Sequence, residues 1–285
     1  MGRLLTGSGR KPANVLGLVR ATVHAAFSTD PDRWDSGRLD WGLQRVTPDP
    51  DARRPVSLAE WLNRLLDGPG GPGPGGHGVT EANRASTTSW WSRPHGDRVQ
   101  LIGLDTCNHT TGSEGSIGEG QLRWLEAELE RVSTRWRDRT GRWVAGSGPD
   151  RLVVLFSHHT SWTLTNPAGD EQFPGPRHLG DAVVELLLRF PNVVLWVNGH
   201  SHEHRIECHR AGADGTGFWE VNTASCIDFG QQARTVELVD NGDGTVSVLT
   251  TVLDHAAPPS VAIRSDGAWS PAELASLSRE LAAND

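Results

Sequence analysis

The 285-residue chain is long enough to bury one sizeable core or two small ones, so it needs neither disulfides nor a metal merely to fold. Its 27 Lys and Arg against 35 Asp and Glu give a formal net charge of −8 at pH 7, which argues against a dedicated nucleic-acid binder. The three cysteines, Cys107, Cys208 and Cys226, lack CxxC spacing. They predict neither a disulfide framework nor a cysteine zinc knuckle, and we expect small buried thiols.

The first part of the chain, residues 1–66, has weak periodicity and many turn-forming residues. Within it, VSLAEWLNRLLDG predicts a short helix that begins after Ser57 and ends at Gly68. The Pro- and Gly-rich segment 67–80 is expected to be a surface loop and marks the best internal boundary. No secretory signal or membrane span is recognisable in the chain as given, so a cytoplasmic location is expected by default, although a parent protein could be exported.

Residues 81–257 carry the strongest periodic patterns. In chain order they predict the strand RVQLIGL, the helix GEGQLRWLEAELERVSTRWRD, the strand RLVVLF, the helix HLGDAVVELLLRF, the strand NVVLWV, and a hairpin formed by ARTVELV and TVSVLTTVL around DNGDG. The alternation of apolar strands with helices indicates a largely parallel sheet covered by helices. A final helix after Ser270 and Pro271 closes the tail, residues 258–285.

Five histidines follow two of these strands, at the carboxyl ends where α/β sheets gather their ligands. The strand RLVVLF is followed by His158 and His159, and NVVLWV is followed by NGHSHEH, which contains His200, His202 and His204. Imidazole is largely neutral near pH 7 and binds borderline metals well, so clustered histidines predict a metal site. Solitary histidines elsewhere, including His209, are expected to be structural.

These histidine motifs resemble those of a known family. The GHSH sequence is similar to the GHxH signature of calcineurin-like metallophosphoesterases, and SHH after an apolar strand resembles their preceding histidine motif. Four longer segments also resemble an actinobacterial branch of this family: LIGLDTCNHTTGSEGSIGEGQLRWLEAEL, LVVLFSHHTSWTLTN, PNVVLWVNGHSHEHRI and GFWEVNTASCIDFGQQARTVEL. The resemblance covers residues 45–257.

The resemblance implies an α/β fold, the calcineurin-like phosphoesterase sandwich of two sheets flanked by helices. It also implies hydrolysis of a phosphate-ester substrate by two divalent metal ions, which would be Mn, Fe or Zn. By motif position, His158 and His200 would bind one ion and His202 the other, and no catalytic residue is assigned. Three further residues are expected to support these ligands: Asn198, Gly199, whose backbone would allow a sharp turn, and His204. His159 is expected either to support a ligand or to face the substrate.

Three motifs that supply carboxylate and amide ligands in this family are absent from the sequence: DxH, GDxxD, and GNHD or GNHE. The GDRVQ segment at 96 and the GDAVV segment at 180 both lack the second Asp. Neutral imidazoles cannot replace a carboxylate that bridges two dications. We therefore expect a chain truncated at its amino terminus, which lacks the family's amino-terminal strands. Asp105 is expected to form an Asx turn, and Asp228 to lie in a strand end beneath the GHxH loop.

The sequence leaves three functions open. The first is a phosphoester hydrolase that carries only the histidine half of the dinuclear site, which leaves its own activity uncertain. The second is an inactive remnant or binding module. The third is a mononuclear zinc hydrolase, which requires nitrogens of His158, His200 and His202 to converge on one point at about 2.0 to 2.1 Å. Neither nucleic acid nor a membrane is expected as a partner.

Overall fold

The computed structural model describes residues 55–68, 78–212, 216–260, 262 and 269–283. Except for Pro55 and Val56, these residues belong to one compact unit, Ser57–Asp285. The predicted segment 1–66 and the Gly- and Pro-rich loop therefore lie largely outside the described residues. The proposed division of the chain at residues 67–80 stays a prediction.

The helices are α1 (Leu58–Asp67), α2 (Glu81–Ser86), α3 (Glu119–Val132), α4 (Gly180–Leu188) and α5 (Pro271–Ala282). The strands are β1 (Trp91–His95), β2 (Val99–Gly103), β3 (Ile117–Gly118), β4 (Arg135–Arg137), β5 (Trp143–Ala145), β6 (Leu152–Phe156), β7 (Arg177–His178), β8 (Val193–Asn198), β9 (Arg205–Arg210), β10 (Gly217–Asn222), β11 (Ala233–Asp240) and β12 (Val246–Leu253). A short 3-10 helix spans Ser161–Thr163.

A six-stranded sheet in the order β1-β2-β6-β8-β10-β9 forms the centre of the fold. The four inner strands, β2, β6, β8 and β10, run parallel to one another. The two edge strands, β1 and β9, are antiparallel to their neighbours. This arrangement confirms the predicted largely parallel sheet, and it brings the carboxyl ends of the four inner strands to one edge.

The two faces of this sheet bury different partners. Helices α3 and α4 pack on one face, where the core includes Leu125, Leu129, Val183, Leu187, Trp196 and Phe218. The β11-β12 hairpin covers the other face, where Val236, Leu238 and Val248 pack against Val154, Leu195 and Val221. Each fully buried Leu or Val contributes about 1.5 to 3 kcal/mol relative to an exposed one. The fold is thus a mixed α/β sheet with helices on one face and, in the described part of the chain, a two-stranded sheet on the other.

Helix α3 is shorter than its pattern predicts, because the STRWRD part of the expected helix leaves the helix after Val132 and enters a short strand. The single proton of the Ser133 hydroxyl is shared between Leu129 O at 2.6 Å and Asn192 Oδ1 at 2.9 Å, and this side chain sits at the C-cap, where the helix ends after Val132. The alternating residues Arg135–Arg137 then pair with Trp143–Ala145. Alternation with period two favours a strand once the helix has ended.

The helix caps follow the sequence, whereas the cysteines do not. Ser57 and Ser270 each form a capping box at the start of α1 and α5, as their positions predict. The prediction that the thiols are buried is wrong, since all three cysteines are free and exposed.

Of the helices in the described ranges, none combines the length and apolar character needed to cross a membrane.

Candidate metal centre

His158 and His200 meet at the edge where parallel strands β6 and β8 end. The Gly199 amide donates to the His158 carbonyl oxygen at 3.0 Å, which holds the two strand exits together. Nε2 of His158 then lies 3.1 Å from Nδ1 of His200. Two nitrogens that share one zinc ion at about 2.0 to 2.1 Å and at roughly 100° would be separated by about this distance.

The GHSH loop turns through its histidines rather than through its glycine. His200 and His202 both have positive φ angles, 72° and 56°. A non-glycine residue in this region costs on the order of 1 to 3 kcal/mol, and such residues concentrate at functional sites. Gly199 does not have a left-handed φ, so the sharp turn expected there is made by its neighbour instead.

A carboxylate that the sequence did not single out lies beside His200. Oε1 of Glu114 is 3.5 Å from Nε2 of His200, the ring nitrogen that faces away from His158. Metal-binding histidines usually direct their second nitrogen to a carboxylate, which fixes the orientation of the ring. Glu114 occupies that position, and a loop residue 86 positions before His200 gives no local pattern that would reveal it.

His202 occupies a separate place in the site. Its Nδ1 is hydrogen-bonded to Oδ2 of Asp228, in the loop that follows β10, rather than in the strand end expected for this segment. Within the described residues, the potential ligands whose atoms all lie within 4.8 Å of one another are His158, His159 and His200. The three-histidine mononuclear set with His202 is therefore not assembled, while His202 and Asp228 form a second, distinct pair.

His159 points into the protein. Its side chain is buried, with Nδ1 2.9 Å from Thr106 Oγ1 and Nε2 2.8 Å from the Ser113 carbonyl oxygen. A carbonyl can only accept, so Nε2 carries the proton and the threonine hydroxyl donates to Nδ1. Burial lowers the pKa of this imidazole, in keeping with a neutral ring. His159 therefore anchors the loop that carries Glu114.

Gly115 allows this loop to lie against the imidazole. A Cβ at Gly115 would lie 2.5 Å from Cγ of His159 and 2.7 Å from the Thr106 carbonyl oxygen. Both distances are shorter than side chains tolerate. The absence of a side chain at this position is thus a condition for bringing Glu114 to His200.

His204 is engaged away from the cluster. Its Nδ1 lies 2.9 Å from an Nη2 of Arg234, which can only donate, and its Nε2 lies 3.1 Å from Oε1 of Gln232. Neither ring nitrogen is left free for an ion. Its expected role in supporting the ligands remains a prediction. Any such support would come through the loop, because His204 is hydrogen-bonded to Gln232 and Arg234 and not to another histidine.

Two buried asparagines hold the GHSH loop from below. Asn198, at the end of β8, donates from Nδ2 to Oε1 of Glu220 at 2.6 Å. Asn222, at the end of β10, donates to the Glu203 carbonyl oxygen at 2.8 Å and to the Ser201 hydroxyl. Because these acceptors fix the orientation of both amides, each Oδ1 is left without a protein partner. Asn222 and Glu220 were not singled out from the sequence, which predicted only a support role for Asn198.

Asp105 lies at the end of β2 and performs the turn-forming role expected of it. Its Oδ1 accepts from the backbone amide of Cys107 at 3.1 Å, which is the Asx turn, and its Oδ2 contacts Ser89 and Nε2 of His109. A cavity of about 220 Å³ adjoins this residue, with Trp90, Phe173 and Arg177 among its walls. The five clustered histidines do not line this cavity.

The donors that meet at the sheet edge are suited to a divalent ion. Burial, together with the neighbouring His200 and His202, lowers the pKa of His158, which favours its neutral, ligating form. Imidazole nitrogen with nearby carboxylate oxygen is a donor set for Zn, Mn or Fe. The residues present thus fit an ion at His158 and His200, although the three-ligand group formed by the described residues contains no carboxylate that could bridge two ions.

Comparison with known proteins gives structural neighbours but no sequence relatives. No protein-family model matches the chain, and no curated protein matches it. Among solved structures, a dimetal phosphatase from Danio rerio is similar with a TM-score of 0.36 and 12% identity over 61% of this chain and 65% of that chain. A putative 5'-nucleotidase from Staphylococcus aureus has a TM-score of 0.31 and 15% identity over 69% of this chain and 34% of that chain. The chain thus spans under two thirds of either neighbour.

Proposed function

We propose that this chain is a metal-dependent phosphoester hydrolase of the calcineurin-like type, carrying the histidine half of a dinuclear centre. The observation that supports this most directly is the 3.1 Å approach of Nε2 of His158 to Nδ1 of His200 at adjacent strand ends. The resemblance of the GHSH and SHH motifs to the family's histidine motifs supports the same assignment. The substrate proposed is a phosphate ester.

In this proposal His158 and His200 hold one ion and His202 holds the other. Bound there, the ions would polarise a phosphoryl oxygen and lower the pKa of a water molecule. The Glu114 carboxylate, 3.5 Å from Nε2 of His200, favours a proton on that nitrogen, which keeps the Nδ1 lone pair directed at the centre. Asp228 does the same at Nδ1 of His202, which leaves the opposite nitrogen, Nε2, available.

A dinuclear centre also requires a carboxylate that bridges the two ions. We propose that it belongs to DxH and GDxxD motifs encoded upstream of Met1, in a longer parent of the actinobacterial branch. The nucleotide sequence 5' of the Met1 codon tests this. An open frame with both motifs would support it, and a frame without them would oppose it.

A metal-binding module without turnover is the competing function. It is favoured because the cluster of His158, His200 and the already hydrogen-bonded His159 contains no carboxylate. A bound ion without a bridging carboxylate would hold the site together but would lack a partner ion on the other side of a phosphate.

The deciding experiment measures bound metal and hydrolysis of a generic aryl phosphate in the same preparation. We expect the purified chain, supplied with manganese, zinc or iron, to bind at least one ion; turnover by this chain requires that the missing carboxylates be supplied elsewhere in the chain or by a partner chain. His200→Ala should lose both properties. His95→Ala removes an exposed imidazole from β1 and should lose neither.

Each outcome selects one function. Turnover that is lost in His200→Ala and kept in His95→Ala supports the hydrolase. Binding lost in His200→Ala without any turnover in the wild type supports the binding module. A wild-type chain that binds no ion contradicts both.

A further inference from the structure

A carboxylate that the proposed chemistry does not use is buried on β10, the strand next to the β9 edge of the sheet. Glu220, on β10, is fully buried, on the face of the sheet covered by the helices. An unpaired buried carboxylate is strongly unfavourable, so its partners must compensate for the lost hydration. Burial by itself raises the pKa of Glu220. Hydrogen bonds from His209, Ser161 and Asn198 lower it by more, so the pKa lies below its ordinary value.

Four donors surround the carboxylate. Oε1 accepts from the Ser161 backbone amide at 2.8 Å and from Asn198 Nδ2 at 2.6 Å. Oε2 accepts from the Ser161 hydroxyl at 2.7 Å and lies 2.7 Å from His209 Nε2. Hydrogen bonds to an ionised group are stronger than those between neutral groups, so this arrangement is rigid.

The donors belong to the two segments that carry the proposed ligands. Ser161 follows His158 by three residues on the exit from β6, and Asn198 precedes His200 by two residues on the exit from β8. Both exits are therefore tied to one carboxylate on a third strand. His209, on β9, holds the carboxylate from the other side.

We propose that Glu220 is a positioning residue that sets the separation of His158 and His200 by binding Ser161 and Asn198 at once. This inference rests on the proposed function, because it concerns the ion held by those two histidines. It predicts that removing the charge of Glu220 loosens the ion site even where the fold survives.

The test uses Co²⁺ as the probe, since its visible absorption reports the geometry of its ligands. Glu220→Gln keeps the size of the side chain but replaces the acceptor Oε2 or Oε1 with an NH₂ donor. We expect Co²⁺ and Zn²⁺ affinity to fall about 10- to 100-fold, the usual effect of losing a partner behind a metal ligand. The absorption bands of the remaining Co²⁺ complex should also shift.

A matched control separates positioning from general stability. Asn192 is a buried amide immediately before β8, at the end of that strand opposite Asn198, and its Nδ2 donates to the Arg151 carbonyl oxygen at 2.8 Å. Asn192→Ala should lower the unfolding temperature yet keep wild-type Co²⁺ affinity and spectrum. Affinity that falls equally in both variants would overturn the positioning role.

A second variant keeps the test decisive if Glu220→Gln does not fold. Ser161→Ala removes only one hydroxyl donor and should weaken Co²⁺ binding in the same direction by a smaller factor. The double variant Ser161→Ala/Asn198→Ala should lose less Co²⁺ binding free energy than the sum of the losses in the two single variants, because both residues act through one carboxylate. Wild-type Co²⁺ affinity in all of these variants would overturn the inference.

The failure of this inference can be told apart from failure of the proposed function. If His200→Ala abolishes Co²⁺ binding while Glu220→Gln and Ser161→Ala bind it normally, the ion site stands and only the role of Glu220 falls. If the wild type binds no Co²⁺, both fall together.

Discussion

Nε2 of His158 lies 3.1 Å from Nδ1 of His200, although 42 residues separate them in the chain. The pairing of β6 with β8 brings them together, because parallel neighbours end at the same edge of the sheet. The two imidazoles approach as a pair of ligands would, while the neighbouring His159 and His204 use both of their ring nitrogens elsewhere.

This division among the histidines gives the first prediction. His158→Ala should weaken Zn²⁺ binding by more than about 100-fold, because it removes a ligand rather than a residue behind one. His204→Ala should leave the affinity close to that of the wild type. Competition with a chromophoric chelator measures both values, and equal losses would show that the pair is not the centre of the site.

The carboxylate behind His200 gives the second prediction. Glu114→Gln removes the charge that orients the ring and should reduce Zn²⁺ affinity about 10-fold, much less than His200→Ala. Glu237→Gln makes the same change in charge at an exposed position on β11 and serves as the control. If the two glutamine variants behave alike, the effect is one of net charge and Glu114 has no specific role.

The loop that carries Glu114 gives the third prediction, which concerns stability. Gly115→Ala would force a methyl group against the His159 ring and should lower the free energy of unfolding by about 1 to 3 kcal/mol. Gly120→Ala, in α3, has open space around its new Cβ and should be neutral or stabilising by up to about 1 kcal/mol. Urea denaturation of both variants measures the difference, and a neutral Gly115→Ala would contradict the packing described.

The pair formed by Asp105 and His109 gives a prediction about pH. The hydrogen bond with Asp105 raises the pKa of His109, outweighing its burial. Burial alone would raise the pKa of Asp105, but its hydrogen bonds with His109 and Ser89 bring it below the ordinary value. Both charged forms are thus favoured in the folded state.

The sign of each shift fixes the pH window of this stabilisation. Because the pKa of His109 is raised on folding, its ionisation stabilises the folded state fully at pH values below the histidine pKa of the unfolded chain, about 6.5. This stabilisation is lost as the pH rises through the pKa of the folded state. Because the pKa of Asp105 is lowered on folding, its ionisation stabilises the folded state at pH values above the unfolded aspartate pKa, about 3.9. This stabilisation is lost as the pH falls through the pKa of the folded state. His109→Gln should therefore cost more stability at pH 5.5 than at pH 8.5, measured by urea denaturation, and a cost that grows with pH would refute the ion pair.

Periodicity predicts the elements with long, regular patterns. The strands β2, β6 and β8, the helix α4 and the β11-β12 hairpin all lie where apolar spacing places them. The end of α3 was not predictable from spacing, because its C-cap residue Ser133 is held by Asn192, 59 residues away. The exposure of the cysteines likewise depends on neighbours that no local pattern reveals.

The sequence by itself determined that His158 and His200 emerge from adjacent strand ends, because strand order and direction follow from the alternation of apolar strands and helices. Only the tertiary structure decided what each imidazole does. His159 turns inward to Thr106, His202 pairs with Asp228, and Glu114 reaches His200 from a distant loop. The physical reason is that hydrogen-bond partners of a side chain are chosen by the packing of segments remote in sequence, whereas strand formation is encoded in neighbouring residues.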